Sequence, residues 1–140
     1  MNKQSFITLL FTIFFSVFVA KAFAHDIEVT NTEGVTIYYT WEKNNTELSV
    51  SCRGSYYHDY TEYSGNVVIP SSVDYNGKTY YVTSIDDGAF QFCTTLTSVT
   101  IPSSVTNIGA DAFNNCQRLT SVTIPNSVKN IDSRAFKDCI

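Results

Sequence analysis

Apolar positions in the second half of the chain recur at a single interval. Ile85, Ile108 and Ile131 fall 23 residues apart, and so do Ala89, Ala112 and Ala135. Phe90, Phe113 and Phe136 follow, then Cys93, Cys116 and Cys139. Leu96/Leu119, Val99/Val122, Ile101/Ile124, Pro102/Pro125 and Val105/Val128 complete the template, while the positions between, such as Gln91-Phe92, Asn114-Asn115 and Lys137-Asp138, vary. A fixed period of this length predicts a mainly β repeat solenoid, because one coil cannot bury its own apolar edge and its neighbours must cover it. The repeated apolar side chains are the expected core, each above its counterpart at the ~4.8 Å spacing of paired strands.

Within a coil, Val99-Thr100-Ile101 alternates with β-branched residues and predicts a short strand with Val99 and Ile101 inward. Pro102 ends it, since proline has no N–H for a ladder. Val105 and Ile108 begin a return path, a second extended segment. Asp86 and Asp132 are expected to cap short helical turns that carry Ala89-Phe90 and Ala135-Phe136, with Gly109 in their place in the middle copy.

An earlier copy is interrupted. Val67-Val68-Ile69-Pro70-Ser71-Ser72-Val73 aligns with Val99-Thr100-Ile101-Pro102-Ser103-Ser104-Val105, but Ile85 arrives 12 residues after Val73 where Ile108 arrives three after Val105. The extra residues hold Asn76-Gly77, a type I′ turn signal, and predict an inserted β-hairpin. Ahead of this, Gly34–Glu42 and Thr46–Cys52 read as two strands joined by a turn at Lys43-Asn44-Asn45. Residues 25–64 are therefore expected to form a β-rich N-terminal cap, and residues 65–140 about three repeats, the first with a hairpin insertion and the last incomplete. The third copy stops before the strand equivalent to Val99–Ile101, which leaves an apolar cross-section and open strand edges. The expectation is a fragment or truncated product, or a further coil docked end to end.

The start of the chain reads as a secretory signal peptide, residues 1–24. Met1-Asn2-Lys3-Gln4 is a short positive region, Ser5–Ala20 is nearly all apolar, and Ala22-Phe23-Ala24 is a small-x-small cleavage pattern. The apolar run would reach roughly 24 Å as a helix, short of the ~30 Å hydrocarbon core. Cleavage before His25 removes Lys3 and Lys21 and leaves seven basic against 13 acidic residues, a net charge of −6. Scattered positive charge in an acidic chain argues against nucleic acid or anionic membrane surfaces as partners. Nothing after Ala24 is apolar enough to span a bilayer, so the chain is expected to be secreted or on the cell surface.

Little here resembles catalytic or cofactor chemistry. Cys93, Cys116 and Cys139 lack a CxxC or a histidine partner, and parallel stacking aims their Cβ atoms the same way, so a ladder of reduced thiols is expected in place of zinc ligands or disulfides. Cys52 is unmatched. His25 and His58 sit in no triad motif, and Asp59 and Glu62 read as a solvated loop. Asp86, Asp87 and Asp111 do not keep one register across the copies, as a calcium ladder would require. Asn44-Asn45-Thr46 is a glycosylation sequon, which matters only in a eukaryotic host.

Aromatic residues gather ahead of the regular repeats, among them Tyr38, Tyr39, Trp41, Tyr56, Tyr57, Tyr60, Tyr63, Tyr75, Tyr80 and Tyr81. Those pointing inward would plug the end of the solenoid. Those pointing out would offer contact area at little entropic cost, with Tyr56, Tyr57, Tyr60 and Tyr63 the leading candidates. Thr97, Thr100, Thr120 and Thr123 are the candidate contacts along the coils.

The pattern Leu-Thr-Ser-Val-Thr-Ile-Pro-x-Ser-Val-x-x-Ile-x-x-x-Ala-Phe-x-x-Cys resembles the 23-residue leucine-rich repeat of BspA-like surface proteins. The match runs from Gly65 to Cys139, and Tyr75-Asn76-Gly77-Lys78-Thr79-Tyr80 also resembles the opening of such proteins. The resemblance implies a leucine-rich-repeat solenoid without catalysis or cofactor that binds a protein or glycan on a host or bacterial surface. Members usually carry many more copies. The alternatives are a structural or capping piece of a longer surface protein with no ligand of its own and, more remotely, a hydrolase.

Overall fold

A computed structural model describes residues 25–42, 45–54 and 63–139. The signal-peptide reading of residues 1–24 lies outside this range, as do Tyr56, Tyr57, His58, Asp59, Tyr60 and Glu62. Among the described residues ten strands follow in order: β1 (Ile27–Thr30), β2 (Thr36–Trp41), β3 (Glu47–Ser51), β4 (Gly65–Val68), β5 (Ser72–Tyr75), β6 (Lys78–Ile85), β7 (Leu96–Thr100), β8 (Asn107–Ile108), β9 (Ser121–Thr123) and β10 (Asn130–Ile131). They form a seven-stranded sheet in the order β1-β2-β3-β6-β8-β10, with β5 attached to β6, and a three-stranded sheet β4-β7-β9.

The two sheets are the two extended segments of each coil. In the short sheet, β4, β7 and β9 pair in parallel, with Val67, Val99 and Val122 in one row and Val68, Thr100 and Thr123 in the next. In the long sheet, Ser84, Asn107 and Asn130 form one row and Ile85, Ile108 and Ile131 another. The inserted segment is the antiparallel hairpin β5-β6. Its tip, Asn76 and Gly77, has φ of 50° and 76°, the left-handed pair that a type I′ turn requires.

The cap is continuous with the repeats. β1, β2 and β3 are antiparallel neighbours, but β3 lies parallel to β6. Asp86 N donates to Val50 O at 2.8 Å, and the same bond recurs from Gly109 N to Ile85 O and from Asp132 N to Ile108 O, both at 2.9 Å. β3 thus acts as the rung before the first coil. β1 was not anticipated from the sequence, although Ile27-Glu28-Val29-Thr30 alternates.

The expected helical turns are not helices; among the described residues there are none. Each coil instead crosses from one sheet to the other through successive tight turns, for example Ala89 N to Asp86 O and Cys93 N to Phe90 O. Alternate amides leave the coil altogether. Gly88, Phe90 and Phe92 donate to Ala110, Ala112 and Asn114, and Asp111, Phe113 and Asn115 donate to Ser133, Ala135 and Lys137. Left-handed backbone at Gly88, Asp111 and Arg134, and again at Phe92, Asn115 and Asp138, turns these groups toward the next coil and breaks any helix. Asp86 and Asp132 open the turns through their carbonyls, which accept from Ala89 N and Ala135 N. The Asp86 carboxylate accepts from the Thr40 hydroxyl instead of capping.

The core follows the repeat. Phe90 and Phe113 stack with centroids 4.9 Å apart, and Phe113 and Phe136 with centroids 5.0 Å apart. Ile85, Phe90, Cys93, Leu96, Val99, Ile101, Val105, Ile108, Phe113, Cys116 and Leu119 are buried as expected. The last coil departs from that expectation. Ile124 and Ile131 are 41 % and 49 % exposed, and Val122, Val128, Phe136 and Cys139 are half-buried, because no coil stacks on their outer side here.

Candidate functional site

The outer face of the short sheet presents two columns of side chains. Asn66, Ser98 and Ser121 form one, and Val68, Thr100 and Thr123 the other, each set by the strand register. No charged residue occurs in β4, β7 or β9. The Asn66 side-chain carbonyl accepts from both the Thr97 and Ser98 hydroxyls at 2.9 Å, which locks the first column across a register shift between Gly65 and Asn66.

The four candidate threonines divide. Thr100 and Thr123 are exposed neighbours in one column. Thr97 and Thr120 sit at the strand starts with hydroxyls already engaged, Thr97 on Asn66 and Thr120 on the Thr97 carbonyl at 3.2 Å. Ser98 and Ser121 were not singled out from sequence, yet they share the outer face with Thr100 and Thr123.

Of the candidate tyrosines, only Tyr63 lies among the described residues, and it is core. It is 1 % exposed, packs its ring 4.5 Å from Phe90, and so closes the phenylalanine stack toward the cap. Its hydroxyl donates to Ser51 O at 2.8 Å and accepts from Tyr38 N at 3.0 Å. A ring with both polar partners inside has nothing left for a ligand. Tyr63→Phe should therefore cost about 1–2 kcal/mol in chemical denaturation, because it strands a buried donor and acceptor together. Tyr39 is buried too, and burial pushes its phenol well above the ordinary range. Trp41, Tyr75 and Tyr80 form a half-buried edge-to-face cluster, with the Lys78 ammonium 4.9 Å from the Tyr80 ring centre. Tyr81 is exposed on the opposite face of β6.

All four described cysteines are thiols, with Cys93 and Cys116 buried in the stack and Cys139 half-buried at its end. The Cys116 Sγ donates to Phe90 O at 3.0 Å and the Cys139 Sγ to Phe113 O at 3.1 Å, one coil apart. Burial, then the neighbouring Cys93 and Cys139, push the Cys116 thiol far above its usual range, and burial raises Cys139 as well. Thiols held protonated are poor nucleophiles. Under native conditions at mildly alkaline pH, iodoacetamide should leave Cys93 and Cys116 unmodified while all four cysteines react in concentrated guanidinium. Rapid native labelling of Cys116, read by peptide mass, would contradict this packing.

A polar groove of about 460 Å³ lies where the cap meets the long sheet, lined by Glu42, Ser84, Asp86, Asp87, Asn107 and Asp132 among others. Three of its carboxylates are engaged within the fold: Glu42 accepts from the Ser84 hydroxyl, Asp86 from Thr40, and Asp87 from Ala110 N at 2.7 Å. Asp111, outside the groove, is bidentate with Arg134 at 2.6–3.2 Å, and that hydrogen-bonded guanidinium holds it below the usual carboxylate range. Among the described residues no three His, Cys, Asp or Glu side chains are placed to hold a metal ion. His25 donates from Nδ1 to Arg53 O at 3.0 Å and packs on Tyr38. No helix among the described residues is long and apolar enough to cross a membrane.

Comparison with known proteins agrees with this architecture. A family described as "BspA type Leucine rich repeat region" matches residues 54–140 in 6 copies. A leucine-rich repeat protein from Bacteroides ovatus is similar at 37 % identity over 74 % of this chain and 26 % of its own, with a TM-score of 0.63. A leucine rich cell surface protein from Faecalibacterium prausnitzii is 28 % identical over 81 % of this chain and 28 % of its own, with a TM-score of 0.59. A leucine-rich repeat protein of T. pallidum is 25 % identical over 73 % of this chain and 42 % of its own, also with a TM-score of 0.59. No curated protein matches. The chain spans about a quarter of the length of the first two of these structures. From the 23-residue register, the stacked phenylalanines and these likenesses together, the chain belongs to the BspA-type leucine-rich-repeat family.

Proposed function

We propose that the chain is an exported, non-catalytic binding protein whose contact surface is the outer face of β4, β7 and β9, and whose partner is a protein or glycan on a host or bacterial surface. One observation carries this reading: two columns of small side chains, all uncharged, face outward in strict register on a backbone fixed by ladder bonds. Such a surface is rigid before contact, so little ordering entropy is lost when a partner arrives. The packed, high-pKa thiols and the internally paired carboxylates support the absence of catalysis. An adhesion assay on folded protein tests the reading. Saturable binding to one of matrix proteins, mucin or bacterial cells is expected, and no binding to any of them would contradict it.

A second reading, a structural or capping portion of a longer surface protein with no ligand of its own, is favoured by the exposed Ile124 and Ile131. A further coil, or the end of another molecule, would cover them. Coding sequence continuing in the 23-residue register past Ile140 would support this reading, and a stop codon there would count against it.

A further inference from the structure

Among the described residues, the cap extends only one of the two sheets. β3 lies along β6 and carries the long sheet through β2 to β1, whereas β4 stands at the margin of the short sheet with no described strand beyond it. Gly65 N donates to Thr95 O at 3.0 Å and Ile69 N to Thr100 O at 3.1 Å, so the odd-numbered backbone groups face β7. Strand alternation then turns the amides and carbonyls of Asn66 and Val68 outward. The Val68 carbonyl accepts from Asn31 Nδ2 at 3.0 Å, a side-chain contact on an edge that has the pairing capacity of a strand.

Beside this edge lies a groove of about 370 Å³ between the β1–β2 turn and β5. Val29, Val68, Pro70 and Val73 give it apolar walls, Glu33 and Asp74 add carboxylates, and no lysine or arginine lines it among the described residues. Val68 is 37 % exposed, unusual for a valine in a sheet whose other valines are tucked in or half-covered. An open strand edge next to apolar surface is a template for another chain. A glycan offers no alternating N–H and C=O groups at strand spacing, whereas an extended peptide does.

We propose that this cleft binds an extended, cationic segment of a partner protein by strand addition to β4. The segment's backbone pairs with Asn66 and Val68, an aliphatic side chain rests against Val29, Pro70 and Val73, and a flanking lysine or arginine meets Glu33 and Asp74. The site shares Asn66 and Val68 with the outward columns of the short sheet but uses the free edge of β4 and the groove beside it, so Thr100 and Thr123 take no part in it.

The test is fluorescence anisotropy of purified protein with a labelled peptide, Lys-Val-Thr-Val-Thr-Lys. Saturable binding is expected. A twin peptide N-methylated on the alternate amides that face β4 should bind at least about tenfold more weakly, since two backbone hydrogen bonds are lost. A Glu33→Lys/Asp74→Lys variant, surface changes that leave the melting transition in place, should weaken the parent peptide about fivefold. Bound peptide should also slow hydrogen exchange at the Asn66 and Val68 amides. Equal binding of the parent and methylated peptides would overturn the proposal, as would unchanged exchange at Val68 or no saturable binding. A concentration-dependent dimer that protects the same amides without peptide would overturn it in favour of self-association.

Discussion

Phe113→Ala is expected to lower the free energy of unfolding by about 3–5 kcal/mol, as aromatic truncations in a closed core do. Phe113 has no solvent exposure and is the middle ring of a stack, nearly parallel to Phe90 on one side and Phe136 on the other. Removing it leaves a cavity that neither neighbour can fill, because the Phe90 amide is tied to Ala112 O and the Phe136 carbonyl to Cys139 N. A small domain is stable by only about 5–15 kcal/mol, so a loss of this size approaches unfolding. Urea denaturation followed by far-UV circular dichroism checks it. The same truncation at Phe136, half-buried in the last coil, should cost clearly less. Equal costs at the two positions would show that the stack does not run through the repeats as described.

Gly109→Val should cost about 3 kcal/mol, at the upper end for forced packing. A Cβ at Gly109 would lie 2.6 Å from the Asp87 backbone nitrogen and 2.8 Å from the Asp86 carbonyl carbon, so the clash is with main chain that cannot swing aside. Gly109 also takes its ladder bond from its own N–H to Ile85 O, and Ala110 N reaches the Asp87 carboxylate beside it. The substitution therefore presses the second coil away from the first at a point where they are bonded directly. Thermal unfolding reads the loss, and a valine variant that melts with the parent would refute the close approach. The sequence marks this position only as the glycine that stands where Asp86 and Asp132 stand in the other copies; it does not reveal the contact behind it.

The inward residues were legible because each repeats against its own copy, so Ile85, Ile108, Phe90, Phe113 and the cysteines name the core without any structure. The hairpin was legible from Asn76-Gly77, where one dipeptide fixes the turn. The turns carrying Ala89-Phe90 misled, because an aspartate before Ala-Phe looks like a helix cap. What prevents a helix is left-handed backbone at residues that do not advertise it, among them Phe92, Asp111 and Arg134. The outer face was half legible. Leu96 and Val99 both point inward although they are three apart, which strict alternation forbids, so a register shift lies between them. That shift engages the Thr97 hydroxyl at the strand start and sends Ser98 outward. Tyr63 was misread because its stacking partner, Phe90, is 27 residues away and outside the repeat register.

Lys78 over Tyr80 and the edge-to-face contacts of Trp41 show that aromatic richness ahead of the repeats serves packing at every described position except the exposed Tyr81. The contact surface proposed for this chain is therefore its short, uncharged sheet face. The decisive measurement compares the parent with a Thr100→Lys/Thr123→Lys double variant on the surface that the parent binds, alongside their melting curves. Both residues are exposed neighbours on the outer face, so the variant should fold normally while half-maximal binding rises at least about tenfold, the result of burying two unpaired charges. Undiminished binding by a folded double variant would contradict the assignment.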